Sequence, residues 1–444
     1  MSELKRELSR FDLTMIAVGS TIGSGIFLTP AIIAHALPST PWILGIWLVG
    51  GLMALSGALT FAELGGMMPG AGGVYAYLCE AYGPLAGFLY GWAYFLVATG
   101  GGIAALSLAF ATYLGYLLPL DPAGIRIAAI GGLLVVTVLN VRGVKVGGVF
   151  SDVFTLLKLG GIIFLIAVGI GWGTQRFWED AAGGSPLPAD LTGSLALAMV
   201  GVLWSYGGWQ HASFAAAEAK DPRRSIPFAM VTGAGIVVLV YMLVNVAYLM
   251  LLPVASLGAS QRVAADAMES VLGPAGGRII AAAIFISTFG TAGIYTLTAP
   301  RIYFAMARDG VFFRNVATVH PRYGTPAIAI ILQSCWAAVL VLFWGTFENL
   351  ISYVVFTDWI FFALAAAGVF VLRKRRPDAE RPYKTLGYPV TPLFFIAIAV
   401  WFVVNTLVLK PGEAWAGIAF LALGVPVFYG WKRAAARKAG MTPP

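Results

Sequence analysis

The chain has almost none of what a soluble protein uses on its surface or to staple itself together. Among 444 residues there are two cysteines, three histidines and only 11% charged residues. Cys79 and Cys335 stand far apart in different segments, which gives neither a disulfide framework nor a metal-ligand spacing. No histidine is near a cysteine, so a structural zinc site is excluded and no cofactor is expected. A soluble domain usually carries about 25% charge, so the low charge argues against one. No His-rich stretch, paired-carboxylate motif or nucleophile with an adjacent base is present, which argues against an enzyme. Met1–Arg10 is short and basic, but the apolar run after it is long and lacks an A-x-A site, so no cleavable signal peptide is expected. The net charge of +8 does not point to nucleic acid, because the basic residues lie in short loops rather than on one basic domain.

What the chain does have is apolar length. Residues are 59% hydrophobic and the mean hydropathy is +0.85. Hydrophobic runs recur throughout, many near 20 residues, enough to span a bilayer. They predict an all-α integral membrane protein with 12 transmembrane helices at roughly 11–36, 42–67, 84–118, 124–141, 150–172, 192–219, 226–252, 276–306, 325–345, 348–372, 388–409 and 412–431. With the N-terminus in the cytoplasm, 22 of the 28 Lys and Arg residues fall on the cytoplasmic side and 5 on the other, with Lys158 inside a span. Positive residues favour the inside, so both termini are expected there, with 1–10 and 432–444 as cytoplasmic segments.

Two of the predicted spans are interrupted by small residues near the middle. The first reads Ile22-Gly23-Ser24-Gly25-Ile26, the second Trp204-Ser205-Tyr206-Gly207-Gly208. Glycine costs about 1 kcal/mol against alanine inside a helix, and backbone that leaves the ladder in lipid is tolerated only against protein or a water-filled cavity. Breaks in corresponding parts of two halves point to a transporter's binding site. Residues 11–172 and 192–372 then read as two five-helix halves, each opening on a broken helix; five is odd, so the second half enters from the opposite side. Residues 388–431, helices 11 and 12, fall outside the repeat.

A solute carrying both a negative and a positive charge would need an anion site and a cation site a few ångströms apart. The half-helix starting near Gly25 offers free N–H groups and a positive dipole end, so Ser24, Gly25 and Ile26 are candidates for holding a carboxylate. Carbonyls at Ile22, Trp204, Ser205 and Gly207 are candidates for the ammonium. The plainer reading is close helix packing through small residues; the paired location, taken together with the resemblance described next, favours binding.

Gly23-Ser24-Gly25-Ile26-Phe27 followed by Thr29-Pro30 resembles the first-helix motif of the amino acid–polyamine–organocation superfamily. Tyr206-Gly207-Gly208-Trp209 with Glu218 and Asp221-Pro222 resembles the sixth helix of its L-type amino acid transporter branch. Phe289-Gly290, Arg301 and Arg308-Asp309-Gly310 are similar to the eighth, and His320-Pro321, Thr325-Pro326, Arg376-Pro377 and Glu380-Arg381-Pro382 follow in consistent order. The resemblance covers about residues 10–410. It implies a LeuT-type 5+5 inverted repeat with discontinuous helices 1 and 6, and amino acid transport. It also implies that Trp204 closes over bound substrate as a gate, where a packed or lipid-facing tryptophan is the alternative. Gln210 takes the place of a polar residue on the side-chain pocket, or caps the restarted helix.

Lys158 lies well inside the fifth span. A charged residue there usually faces the interior and marks a pathway or relay; the alternative is a lysine snorkelling towards the interface past Asp152. In similar transporters this lysine stands beside the helix 1 break, where sodium-coupled relatives hold the ion. Two departures from the family pattern matter. The loop 119–126 has no cysteine, so a disulfide-linked heavy chain is not expected. Asp358 stands where an asparagine often lines the pocket; it either faces the substrate and favours cationic ones, or pairs with a polar neighbour. The expected function is a sodium-independent exchanger of L-amino acids, most simply neutral ones, in the plasma membrane. The alternatives are a proton-coupled symporter or a cationic amino acid transporter using Asp358, with a membrane enzyme or a channel as different classes.

Overall fold

A computed structural model describes residues 4–175, 188–343, 347–409 and 411–438. The regular structure among the described residues is helical, apart from one isolated bridge between Leu8 and Ala219. Nine helices among them are long and apolar enough to cross a membrane, and Leu191–Tyr206 and Ala327–Phe343 are shorter apolar ones. Many of these helices are apolar on the outside as well. Leu134, Leu156, Ile163, Leu239 and Val404 are each at least half exposed, as expected of side chains whose solvent is lipid. The chain is a multi-pass membrane protein.

The first predicted span is two helices, α1 (Arg10–Thr21) and α2 (Gly25–Ala36), separated by Ile22, Gly23 and Ser24. A capping box starts α1: Ser9 Oγ accepts from the Asp12 amide at 3.2 Å, and Asp12 accepts from the Ser9 amide at 2.6 Å. Its last turn is loosened by side chains that bond backward. Ser20 donates to the Ile16 carbonyl at 2.5 Å and Thr21 to that of Ala17 at 2.8 Å, a habit that bends helices.

After α3 (Thr40–Met67), a short helix not anticipated from sequence, α4 (Val74–Tyr82), precedes the third span. That span runs as α5 (Pro84–Ala93), a π turn over Tyr94–Ala98, and α6 (Thr99–Leu117). Next come α7 (Pro122–Val141) and α8 (Val144–Trp172), then α9 (Leu191–Tyr206), which stops at the second small-residue cluster. The chain resumes as a single turn, α10 (His211–Phe214), and a 3-10 turn over Ala216–Glu218. Beyond α11 (Pro222–Leu251), two further unanticipated short helices, α12 (Val254–Ala259) and α13 (Val263–Leu272), lead to α14 (Pro274–Thr298) and α15 (Pro300–Arg308). The last four helices are α16 (Ala327–Phe343), α17 (Phe347–Arg375), α18 (Val390–Leu409) and α19 (Pro411–Lys438).

Buried ion pairs tie the elements together at the end rich in Lys and Arg. Glu218 accepts from Arg301 Nε and Nη2, both at 2.7 Å, with neither side chain exposed. Glu63, fully buried near the end of α3, accepts from Arg373 at 2.7 and 2.9 Å and from the Thr385 amide at 2.8 Å. The segment before α1 is stitched to the segment after α10, with the Leu8 amide donating to the Glu218 carbonyl and the Lys220 amide to that of Leu8, each at 2.9 Å. These contacts make Glu63 and Glu218 ties between separate helices and segments.

Candidate functional site

The two breaks meet in the centre of the molecule. Ser20 Oγ donates to the Gly208 carbonyl at 2.8 Å across them. Gly208 has φ +134°, and a Cβ there would lie 2.6 Å from the Ser20 carbonyl carbon and oxygen. Only glycine permits that approach. A Cβ on Gly25 would likewise strike the Ser205 backbone at 2.7 Å, so the start of α2 rests on the end of α9. Thr29 and Ser205 hydroxyls pair at 2.9 Å at this contact. Tyr241 and Tyr248 of α11 hold the first break from the other side, donating to the Thr21 carbonyl at 3.0 Å and the Ile26 carbonyl at 3.3 Å.

The breaks leave backbone groups free. The amides of Ser24, Gly25 and Ile26 have no acceptor among the described residues, and the carbonyls of Ser205 and Gly207 have no donor there. Ile22 differs: its carbonyl is already committed. Lys158 Nζ donates to it at 2.7 Å, to the Gly19 carbonyl at 2.8 Å and to Thr291 Oγ1 at 2.6 Å. Three acceptors use the full donor capacity of an ammonium group. Lys158 is 1% exposed, so it does not snorkel. Thr291, on α14, also lies 3.0 and 2.9 Å from the same two carbonyls, and Ser287 bonds the Gly23 carbonyl at 3.2 Å rather than entering a cavity.

A narrow cavity of about 30 Å³ lies beside the second break, room for roughly two water molecules. Trp204, Gly207, Gln210, Tyr94, Tyr295 and Asp358 are among the residues that line it. Trp204 is also the link to the first break: its indole N–H points to Ser24 Oγ at 3.4 Å. Ile22, Ser24, Gly25 and Ile26 do not line the cavity, so the indole stands between it and the free amides of α2. Gln210 lines the cavity, and its Oε1 accepts from the Gly208 amide at 2.9 Å, ahead of the restarted helix, which it does not cap with its side chain.

Reading along the chain misses the residues that brace this centre from other helices. His211 is fully buried, bonded to Tyr94 at 3.0 Å and to Thr298 at 2.6 Å, with its ring stacked on Tyr295 at 4.1 Å. The only available signal was a histidine, one of three in the chain, three residues after a glycine pair. Nothing in the sequence marks Thr291 or Tyr94.

The amino acid permease family model matches residues 8–428. The chain belongs to this family. It is similar to the serine/threonine exchanger SteT of Bacillus subtilis, at 31% identity over 97% of this chain and 98% of that protein. The human b(0,+)-type amino acid transporter 1 is 31% identical over 97% of this chain and 90% of its own length. The human large neutral amino acids transporter small subunit 2 is 33% identical over 96% of this chain and 80% of its length. All three are named as transporters or exchangers, and this permease is a transporter rather than an enzyme.

Proposed function

We propose that this permease is a sodium-independent secondary transporter that exchanges L-amino acids, neutral ones in preference, by alternating access. The observation that carries the reading is Lys158, whose ammonium bridges the carbonyls of the first break to Thr291 on α14. A fixed cation at this junction supplies the charge that a sodium ion supplies in sodium-coupled relatives. The similarity to an exchanger and to a neutral amino acid transporter supports the rest of the reading.

In this proposal the free amides of Ser24, Gly25 and Ile26, at the positive end of α2, hold the substrate carboxylate. The carbonyls of Ser205 and Gly207 hold its ammonium, that of Trp204 already accepting from the Gly207 amide at 3.3 Å, and the Trp204 side chain swings aside to join the two into one site. Gln210 and Asp358 face the substrate side chain. The architecture is twelve spans, with 11–172 and 192–372 as inverted five-helix repeats around discontinuous helices 1 and 6. Both termini are cytoplasmic, the membrane is the plasma membrane, and no disulfide-linked heavy chain is needed.

The test is counterflow in proteoliposomes. Radiolabelled alanine, leucine and arginine are offered to vesicles preloaded with unlabelled amino acids, with choline replacing sodium. Saturable, stereoselective uptake of alanine and leucine is expected. Absolute dependence on sodium, or passive conductance without counterflow, overturns the reading. A second reading, proton-coupled uptake, is favoured by one feature, the unpartnered carboxylate of Asp358.

A further inference from the structure

A second cavity, of about 180 Å³, lies at the end of the bundle away from the Lys- and Arg-rich one, where α6 finishes and α14 begins. Three helix faces meet there. Arg262, at the N-cap of α13, and Ala265 and Glu269 within it recur at steps of three and four, which puts them in one stripe. Gly277, Arg278 and Ala281 share a face of α14. Tyr113 and Tyr116, one turn apart near the end of α6, close the third side. The hollow exists because Ala265, Gly277 and Ala281 stand where larger side chains would fill it. It shares no lining residue with the cavity beside the second break.

Its polar groups are uncommitted. Tyr113 is only 5% exposed, yet its hydroxyl makes no hydrogen bond among the described residues. Buried hydroxyls in proteins normally have a partner. Glu269 and Arg278 likewise make no ion pair or hydrogen bond among the described residues. The Arg262 guanidinium lies over the Tyr116 ring at 5.2 Å and 3.7 Å from Asp266, a loose pairing that leaves donors to spare. The Glu269 carboxylate rests against Gly277, where a Cβ would overlap it. One acid and two cations therefore share a hollow without being spent on one another. The first turn of α14 adds the positive end of a helix dipole. This set suits a ligand that itself carries an anion and a cation. Arginine takes phosphate in a fork of paired donors, and a carboxylate accepts from a primary ammonium.

The surroundings point to the source of that ligand. Leu117, Leu118 and Ile279, next to lining residues in the chain, are exposed apolar side chains at the ends of two spans. Tyr116 is half exposed beside them, as tyrosines are where a span meets the membrane surface. We propose that the hollow binds the headgroup of a phospholipid bearing a primary amine. Its phosphate lies between Arg262, Arg278 and the Tyr113 hydroxyl, and its ammonium lies against Glu269. The acyl chains run along the exposed apolar residues at the mouth. A bound headgroup pins α13 to α6 and α14 through charges that the protein leaves unpaired.

The experiment titrates the purified full chain, delipidated in detergent, with phosphatidylethanolamine or phosphatidylcholine and counts retained lipid by native mass spectrometry. Wild type is expected to hold one phosphatidylethanolamine at least about tenfold more tightly than phosphatidylcholine, whose quaternary ammonium has no N–H to give Glu269. In Glu269→Gln that preference is expected to vanish while phosphatidylcholine binding is unchanged. Arg278→Ala is expected to weaken both lipids about tenfold. Equal binding of the two lipids by wild type overturns the site, as does a preference that survives Glu269→Gln. If Glu269→Gln fails to fold, Arg278→Ala decides: weaker binding supports the site, and unchanged affinity overturns it. Free alanine carries the same pair of charges. Alanine displacing the lipid one for one from wild type overturns the lipid assignment, since the hollow is then an amino acid site. None of these readouts needs flux, so each outcome leaves the exchange reading standing.

Discussion

Lys158 and Asp358 each place a single ionisable group inside a predicted span, and their surroundings are opposite. Lys158 has three partners at 2.6–2.8 Å and is 1% exposed. Asp358 has no partner among the described residues and opens onto a cavity. A buried charge that is fully bonded acts as a strut; here it ties the first helix break to α14. The contrast is between a lysine bonded into the first break and an acid with no hydrogen bond among the described residues.

Four substitutions test the contrast, judged first by the melting transition of purified protein in detergent. The largest effect is expected for Glu218→Ala, which strands the fully buried Arg301 and should cost about 3–5 kcal/mol; a loss under about 1 kcal/mol would show that the pair is not closed in the folded protein. Gly208→Ala comes next, because a Cβ at φ +134° meets the Ser20 backbone at 2.6 Å. Strain and overpacking together predict a loss of about 2–3 kcal/mol, with flux nearly abolished; wild-type flux would mean that the two breaks do not touch during the transport cycle.

Lys158→Met is the sharper probe. It removes three charge-assisted bonds but also the cost of burying a charge, so the expected net loss is about 1–2 kcal/mol. Counterflow should drop at least about tenfold although the protein elutes as a folded species, the loss of one positioning interaction being enough for that factor. Wild-type-like flux would remove the role given to this lysine. The smallest effect on melting is expected for Asp358→Asn, within about 0.5 kcal/mol, as for changes that break no existing contact. A loss comparable to that of Glu218→Ala would mean that Asp358 is a strut as well, and the contrast with Lys158 would collapse.

The helices and both interruptions were legible along the chain. The apolar runs at 11–36 and 192–219 carry Gly-Ser-Gly and Gly-Gly where leucine would be ordinary, and the helices stop there, at Thr21 and Tyr206. Lys158 was legible for the same reason, as a charge among apolar neighbours. The bracing residues were not: Thr291, Tyr241, Tyr248 and His211 are common residue types, and what makes them part of the site is the carbonyl, hydroxyl or ring that another helix brings to them. The short helices Val74–Tyr82, Val254–Ala259 and Val263–Leu272 were missed because they lie between spans, where an apolar-run reading looks only for connections.

By itself the sequence determined the class of molecule, its family, and the places where the main chain would leave its ladder, because solvent preference and glycine's backbone freedom act locally. Only the tertiary structure decided which of the exposed backbone groups were left free. Ile22, Gly25 and Gly207 are equally good candidates when read in a row. A lysine 136 residues further on takes the carbonyl of the first, while the Gly25 amide and the Gly207 carbonyl stay open. A hydrogen bond between distant segments depends on where the helices between them put its two ends, and that placement is set by packing rather than by neighbours in the chain.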